Sequence, residues 1–486
     1  MSIHLEPLPH QDMNTPRLYI ALDKNIRTCR QEIGGILRSW SEYVPTGYDP
    51  EKPVPLVFSL HGAGGWDTTQ KFAWSMVAER EGFIVVYPQS ISQKNLWNVF
   101  HWHADGPDEI AYLDALYDII LKKYNIDTTR VYLHGQSLGD MQATDYLMER
   151  SDRFAAACPS AGPTTPSFLF HEDGTLRRVP PAPMPITRMH GSLDGLLIGM
   201  SREKSASLTP EEITEVKMDT GILPGLYPWL QVNGCEAWPK FSVRGVYNAF
   251  HYAGKDNADT WFFVIEGGEH NPAPEYADLL YTAFLSQYRR AADGKILKGE
   301  PILSWKEDEG GIAVCEGSDM AYVNNRPMKM SGPAIVESGR LFPQGYTYVP
   351  ADFFAQALGI EAEFSYADLS VEFRWEGHTL ECAAGIRSCV LDGQLRMMPL
   401  CLSVQRVLYL PFEPVMNYLT GMRVLKKAGV EYATCSEGVL TDDAARILKI
   451  LLGCLPQNGP AEWIAIEKEM LDGLQYAGPQ YEKPQE

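Results

Sequence analysis

The feature of this sequence that most constrains its fold is the pentapeptide Gly135–Gly139, GQSLG, which fits the pattern G-x-S-x-G. An apolar run, RVYLH, precedes it and a segment with helical spacing follows it, so the pentapeptide must turn a strand sharply into a helix. Small flanking residues permit that turn and present the Ser137 hydroxyl at the helix N-terminus, where the helix dipole favours negative charge. The pattern therefore predicts that Ser137 is a nucleophile.

Short apolar runs alternate with amphipathic segments from Pro53 to about Arg290. This alternation is typical of an α/β fold in which a doubly wound, mostly parallel sheet is covered by helices. Helices are predicted over Asp108–Tyr124, where apolar residues follow an acidic first turn, and over Glu275–Arg290. The predicted strands are Leu56–Leu60, Phe83–Tyr87, Arg130–His134, Phe154–Cys158, Ile186–Met189 and Trp261–Ile265.

A nucleophilic serine needs a base and a carboxylate that orients the base, and both follow Ser137 in the sequence. Asp194 lies in MHGSLDG, just after one predicted strand, and His270 lies in EGGEHNPAP, just after the next. Both side chains can reach the carboxyl edge of the sheet, where ligand sites of open α/β sheets lie. We therefore expect Asp194 and His270 to complete a triad with Ser137, although a turn carboxylate and a loop histidine are the structural alternatives.

The glycine-rich loop His61–Gly65, HGAGG, follows the early apolar run PLVFSL. Backbone amides in such a loop are a common means of stabilising an oxyanion. We assign one donor to the amide of Leu138 and the other to Ala63, with Gly64 as the alternative. A simple turn would explain the same glycines.

Taken together and in order, PLVFSLHGAGG, GFIVVYPQS, IDTTRVYLHGQSLGD, MHGSLDG and EGGEHNPAP resemble the polyhydroxybutyrate-depolymerase-like and feruloyl esterases, a family of α/β-hydrolases that includes acetyl-xylan esterases. The resemblance covers about Arg38 to Arg290. It implies a triad of Ser137, Asp194 and His270, no cofactor, and substrates such as hydroxycinnamoyl or acetyl esters of plant polysaccharides. One departure is Asp140, where members of the family often have a second glycine.

Tryptophans near the expected pocket are candidates for stacking on a phenolic or sugar ring. Trp97 and Trp102 lie in NLWNVFHWH, and Trp229 lies in a long connection of about residues 195–260 that we interpret as a cap over the substrate. Packing in the core is the alternative for all three.

The sequence predicts two domains, with an α/β-hydrolase domain over residues 1–300 and a smaller α+β accessory domain, together with C-terminal helices, over residues 301–486. Two passages of the second region, beginning at Tyr322 and Val390, share a hairpin, a strand ending in Val-Pro or Leu-Pro, a short helix and further strands. This repeat resembles the N-terminal-like (stalk) domain of copper amine oxidases. His378 is the only histidine after His270, so we expect a structural or partner-binding module without metal.

The net charge of −20 disfavours nucleic acid and anionic membranes as partners. Nine scattered cysteines indicate neither a disulfide framework nor a zinc site. Neither a signal peptide nor a membrane span is visible in the sequence, which predicts a cytoplasmic protein while leaving secretion open. The C-terminal domain is a candidate surface for forming a homo-oligomer.

The function predicted from the sequence is that of a serine carboxylic-ester hydrolase, a feruloyl or acetyl esterase acting on plant carbohydrate esters. A polyhydroxyalkanoate depolymerase or a serine peptidase would use the same triad. A non-catalytic binding protein is the alternative from a different class.

Overall fold

A computed structural model describes residues 24–91, 95–162, 164–195, 207–270, 275–305, 308, 310–339 and 342–470. Its largest sheet has ten strands. In chain order these are β1 (Ile26–Ile33), β2 (Ile36–Tyr43), β3 (Val54–Leu60), β4 (Ile84–Pro88), β5 (Ile126–Gln136), β6 (Ala156–Ser160), β7 (Ile186–Gly191), β8 (Lys240–Arg244), β9 (Tyr247–Tyr252) and β10 (Thr260–Ile265). Their order across the sheet is β1-β2-β4-β3-β5-β6-β7-β10-β9-β8.

The middle of this sheet is parallel, from β4 through β3, β5, β6 and β7 to β10. Antiparallel pairs extend it at both ends, β1 with β2 on one side and β9 with β8 on the other. Strands such as β3 are buried along almost their whole length, as expected where helices cover both faces. The predicted α/β-hydrolase fold is confirmed.

Helices cover both faces of the sheet. They are α1 (Lys71–Glu81), α2 (Glu109–Lys123), α3 (Leu138–Arg150), α4 (Pro166–Leu169), α5 (Pro210–Lys217), α6 (Leu223–Val232) and α7 (Glu275–Leu279). Residues of α1 and α7 form an apolar cluster with one face, and residues of α2, α3 and α6 form a second cluster with the other. A π-helical turn, Met218–Ile222, joins α5 directly to α6.

All six strands predicted from apolar runs are present, and the predicted helix over residues 108–124 begins after an Asp108 cap that accepts the Ala111 N–H. The helix predicted over residues 275–290 is shorter, because π- and 3₁₀-helical turns follow α7 and the chain enters a strand at Tyr288.

The predicted cap over residues 195–260 is wrong in its second half. Strands β8 and β9 form a hairpin that extends the sheet beside β10, because Phe241 and Val243 alternate with polar residues in β8 and Phe241 stacks on Phe250 of β9. Helices α5 and α6 occupy the first half of this connection, of which residues 196–206 lie outside the described residues.

The C-terminal region is rich in short antiparallel strands. After the hairpin β11 (Tyr288–Arg290) and β12 (Ile296–Lys298) come β13 (Ile312–Cys315), β14 (Met320–Val323), β15 (Arg326–Lys329), β16 (Ile335–Gly339), β17 (Phe342–Pro350), β18 (Glu361–Ser365), β19 (Ser370–Trp375), β20 (His378–Ala383), β21 (Ser388–Leu391), β22 (Gln394–Met397), β23 (Leu402–Val404), β24 (Val407–Pro411), β25 (Arg423–Lys427) and β26 (Val430–Thr434). The helices are α8 (Ala351–Leu358), α9 (Phe412–Thr420), α10 (Asp442–Leu451) and α11 (Pro460–Met470).

The internal repeat is visible in these elements. Each copy has a hairpin, a strand ending in proline, a helix stopped by a left-handed glycine (Gly359 or Gly421) and two further strands. The proline-ending strands β17 and β24 of the two copies pair with each other. The resemblance of this region to the stalk domain of copper amine oxidases stays a prediction.

The C-terminal region packs tightly on the hydrolase sheet. One apolar cluster joins Phe241 and Phe262 of the sheet to Tyr322, Tyr432 and Leu448 of the C-terminal region. The boundary predicted at residues 300/301 lies between β12 and β13, but the two sides share this core, and the division into two domains stays a prediction. Among the described residues no helix combines the length and the apolar character needed to cross a bilayer.

Candidate active site

Ser137 lies at the tight turn that the pentapeptide predicts. It follows β5 directly and precedes α3, with a backbone φ of 58° and ψ of −122° that a non-glycine residue rarely adopts. Its N–H donates to the Ser160 carbonyl at 2.9 Å, which holds the strained residue against β6. A Cβ at Gly135 would collide with the Gly139 carbonyl, and a Cβ at Gly139 would collide with the Leu60 carbonyl, so both positions require glycine.

The structure brings Ser137, His270 and Asp194 into one hydrogen-bonded chain. His270 Nε2 lies 2.8 Å from Ser137 Oγ, and His270 Nδ1 lies 3.0 Å from Asp194 Oδ2. With its proton on Nδ1, the imidazole donates to the carboxylate and accepts from the serine hydroxyl. Asp194 is buried and the imidazole is partly exposed, so the ring is accessible from solvent while the carboxylate is shielded from water.

Two neighbouring loops hold Asp194 and His270. Ser192 N–H donates to the Ile265 carbonyl and Leu193 N–H to the Gly268 carbonyl, both at 2.9 Å, so the loop of Asp194 is bonded to the loop that leads to His270. Gly191 is necessary for this approach, since a Cβ there would collide with the Gly268 backbone. The close packing of the two loops sets the distance between carboxylate and imidazole.

The glycine-rich loop passes directly beside Ser137. A Cβ at Gly62 would lie 3.1 Å from Ser137 Cβ. The amide of Gly64, the alternative oxyanion donor, donates to the Asn95 carbonyl at 3.1 Å, whereas the Ala63 amide has no acceptor within the part of the chain that the structure describes. Leu138 is the first residue of α3, so its N–H is not needed for a hydrogen bond within the helix. The oxyanion roles of Leu138 and Ala63 stay predictions.

His61 anchors the glycine-rich loop from within the core. It is fully buried, and this burial lowers the pKa of its imidazole to about 4, so the ring is neutral at pH 7. Nδ1 donates to the Gly62 carbonyl at 2.7 Å and Nε2 accepts from the Ser90 N–H at 3.2 Å. The sequence places His61 in the glycine-rich loop, and its position directly after a buried strand is the signal for this anchoring role.

Two of the three tryptophans predicted to meet the substrate lie in the core. Trp97 is 1% exposed and donates its Nε1–H to the His61 carbonyl at 2.8 Å, so it supports the glycine-rich loop from behind. Trp229 on α6 is 0% exposed and belongs to the apolar cluster under the sheet. Neither ring presents a face to a ligand in this structure, and the prediction for these two residues is corrected to core packing.

Trp102 differs from the other two, since it is only partly buried. Its ring meets Phe168 edge-on at 4.9 Å, and Phe168 stacks on Phe100 at 5.0 Å. Phe168, on α4, lies in a short apolar stretch with no motif, so the sequence gives no signal for its contact with Trp102. The role of Trp102 in binding substrate stays a prediction.

Asp140, the departure from the family pattern, does not face a pocket. Its carboxylate is fully buried and accepts from Arg188 Nη2 at 2.8 and 3.0 Å and from the Gly162 N–H at 2.9 Å. Burial raises the pKa of this carboxyl to about 6, although the Arg188 guanidinium acts to lower it. The pair therefore connects the first turn of α3, next to Ser137, to β7, which leads to Asp194.

Comparison with known proteins finds similarity in the segment that contains Ser137. The family model described as Esterase PHB depolymerase matches residues 38–164. Residues 38–164 therefore carry a segment similar to that family. The matched segment contains the glycine-rich loop and Ser137, while Asp194 and His270 lie beyond it.

Relatives similar to this chain include a bifunctional acetylxylan esterase/xylanase XynS20E from Neocallimastix patriciarum, which is 32% identical over 32% of this chain and 21% of its own length. A feruloyl esterase B from Piromyces equi is 25% identical over 46% of this chain and 41% of its own length. The chain thus spans less than half the length of either relative. A solved acetyl xylan esterase from Aspergillus awamori is 17% identical and superposes on 52% of this chain and 97% of its own, with a TM-score of 0.37.

Proposed function

We propose that this protein is a serine carboxylic-ester hydrolase that works through an acyl-enzyme. The observation that carries the proposal is the chain of hydrogen bonds from Ser137 Oγ to His270 Nε2 and from His270 Nδ1 to Asp194. Those distances are within the range of a nucleophile and general base ready to exchange a proton. The match of residues 38–164 to an esterase family model supports the same chemistry.

In the first half-reaction, Ser137 Oγ attacks the ester carbonyl while its proton passes to His270 Nε2. Asp194 keeps its hydrogen bond to Nδ1 and stabilises the imidazolium. The amides of Leu138 and Ala63 receive the oxyanion, and the proton on Nε2 then goes to the departing alcohol. In the second half-reaction, water gives a proton to His270 Nε2 and attacks the acyl-serine carbonyl. The bond from that carbon to Ser137 Oγ then breaks, the proton on Nε2 passes to Oγ, and the carboxylic acid leaves.

For the substrate class we propose acetyl or hydroxycinnamoyl esters of plant carbohydrates. Two relatives are named acetylxylan esterase and feruloyl esterase, which supports carbohydrate esters. The partly exposed ring of Trp102, held edge-on against Phe168, offers an apolar surface suited to a phenolic acyl group or a sugar ring. Polyhydroxybutyrate and peptides are the competing substrates, and a protein without catalytic activity is the remaining alternative.

The test is hydrolysis of p-nitrophenyl acetate, methyl ferulate, acetylated xylan, a polyhydroxybutyrate film and a peptide p-nitroanilide, together with labelling by a fluorophosphonate probe. We expect the wild type to cleave an acetyl or feruloyl ester and to bind the probe. The Ser137→Ala variant should lose both properties. Ser403→Ala, which changes an exposed serine in β23, is the matched control and should keep both.

Three outcomes would count against the proposal. Turnover limited to polyhydroxybutyrate or to the peptide anilide would show that the substrate is a polyester or a peptide and not a carbohydrate ester. Equal activity of the wild type and Ser137→Ala would show that Ser137 is not the nucleophile. Absence of both labelling and turnover in the wild type would favour the binding-protein alternative.

The cytoplasmic location and a homo-oligomer formed through the C-terminal region also stay proposals. Fractionation of producing cells tests the first. Light scattering of the purified protein tests the second.

A further inference from the structure

A buried lysine lies behind the loop that holds Asp194. Lys217 is the last residue of α5, and its side chain is 3% exposed. Its ammonium lies 2.8 Å from Asp443 Oδ1, 3.2 Å from the Ser192 carbonyl and 3.4 Å from the Gly191 carbonyl. An ammonium removed from water in this way must be compensated by such partners, so the position of the Lys217 ammonium depends on the positions of the carboxylate and the two carbonyls.

The two carbonyls belong to the turn that places the acid. Gly191 O also accepts the N–H of Asp194 at 3.2 Å, which closes the turn. The N–H of Ser192 donates to Ile265, on the strand that leads to His270. Lys217 therefore bonds the backbone at the point where the loops of acid and base are joined.

The anion that compensates Lys217 comes from the C-terminal region. Asp443 lies in the first turn of α10, and its carboxylate is 1% exposed and forms no aligned hydrogen bond within the described part of the chain. The ammonium is thus its main compensating charge. Thr441, which caps α10, also donates its N–H to Asn248 Oδ1 on β9 at 2.8 Å, so this helix end is bonded to the hydrolase sheet.

A second ion pair of opposite polarity fixes the same contact. Arg446, on the same face of α10 and about one turn along, donates to Asp219 Oδ2 at 2.6 Å, and Asp219 lies in the π-helical turn just after Lys217. Helix α10 thus supplies the anion of the first pair, Asp443, and the cation of the second, Arg446. Sliding α10 along α5 by one turn would bring like charges together, which sets the register between them.

We propose that Lys217 and Asp443 are positioning residues for Asp194, through which the C-terminal helix α10 holds the acid loop in place for the triad. The inference rests on the proposed function and deepens it. Neither side chain contacts His270 or Ser137; they act through the backbone of residues 191–194.

Removing the anion should affect the rate more than binding. In Asp443→Asn the ammonium loses its counter-charge and must draw in water or move, and the Gly191 and Ser192 carbonyls move with it. Misplacement of a catalytic group by about 1 Å can cost about a hundredfold in rate. We expect kcat for p-nitrophenyl acetate to fall by about tenfold to a hundredfold with KM within about threefold, as for an interaction that matters in the transition state.

The experiment compares full-length Asp443→Asn, Lys217→Met and the double variant Lys217→Met/Asp443→Leu. The double variant removes both charges together, which usually preserves stability where a single change does not. Asp442→Asn is the matched control, because Asp442 also lies in the first turn of α10 but pairs with the half-exposed Lys427. Each protein is measured for kcat, KM, thermal midpoint and the low-field proton NMR resonance of the His270–Asp194 hydrogen bond, assigned by its loss in Asp194→Asn.

A positioning role predicts that the double variant regains the wild-type midpoint while kcat stays low and the low-field resonance is shifted or broadened. Asp442→Asn should match the wild type in all four measurements. A double variant with wild-type kcat and an unchanged resonance would overturn the inference, leaving the pair a purely structural role. If the wild type cleaves no ester, the proposed function fails, but the resonance in the double variant still decides the positioning role.

Discussion

Arg188→Met should destabilise the protein in a way that depends on pH. Arg188 and Asp140 are both 0% exposed, and the arginine supplies two short contacts to the carboxylate. Methionine fills similar space but leaves the carboxylate without a cation. Breaking a buried pair by removing one partner typically costs about 3–5 kcal/mol of unfolding free energy.

The sign of the pH dependence follows from the Asp140 carboxyl. Its pKa is about 6 in the folded protein against 3.8 for an ordinary aspartate, because burial outweighs the effect of Arg188. A pKa raised on folding means that the folded state binds the proton more tightly, so stability falls as pH rises from about 4 to 6. Without Arg188 the carboxyl pKa rises further. We therefore expect the full loss of about 3–5 kcal/mol above pH 7 and a much smaller loss at pH 4.5, where the neutral acid needs no cation.

Urea unfolding followed by circular dichroism at pH 4.5 and pH 7.5 measures the effect. Arg374→Met, which breaks exposed ion pairs in the C-terminal region, should leave the midpoint unchanged at both values. Arg188→Met/Asp140→Asn should regain much of the stability at pH 7.5, since the amide still accepts the Gly162 N–H without a charge. An equal deficit at both pH values, or none at pH 7.5, would refute the reasoning.

Gly139→Ala should abolish fluorophosphonate labelling, because the new Cβ would collide with the Leu60 carbonyl. The control Gly47→Ala has open space around the new Cβ and should be labelled like the wild type, whereas labelling of Gly139→Ala would show that the turn tolerates a side chain. Trp97→Phe should lower the free energy of unfolding by about 1–3 kcal/mol, since the His61 carbonyl loses its hydrogen-bond donor, and this is measured by urea unfolding. The same variant should have a lower kcat for acetyl and feruloyl esters alike, and a loss of activity confined to feruloyl esters would contradict core packing. Trp102→Ala should raise KM for methyl ferulate by about tenfold and leave p-nitrophenyl acetate unaffected; equal changes for both substrates would exclude stacking on the acyl group.

The residues brought together at the site were predictable because each carries a local signal. Ser137 has a motif between a strand and a helix, and Asp194 and His270 each follow an apolar run that became a strand of the parallel sheet. Parallel strands deliver the residues after their carboxyl ends to a single edge, so strand order in the sequence is enough to expect these side chains near each other.

Residues whose position depends on long-range packing were not predictable. Trp97 and Trp229 lie in aromatic segments that would suit a pocket or a core equally, and only the fold buries them. Strands β8 and β9 were mistaken for cap because they are short and lie in a long connection. Lys217 and Asp443 look like ordinary surface charges in the sequence, far apart and without a motif; their contact exists only because α10 packs on α5.

The apolar cluster shared between the hydrolase sheet and the C-terminal region has a consequence for synthesis of the chain. The ribosome completes β8, β9 and β10 long before it makes Tyr432, Ala444 and Leu448, which cover them. Phe241, Phe250 and Phe262 therefore lack this part of their cover while the residues between β10 and Tyr432 are made, a state in which exposed apolar surfaces associate with each other. A gene cut after residue 300 would make this exposure permanent, so the encoded fragment should require a chaperone or a separately supplied C-terminal region to stay in solution.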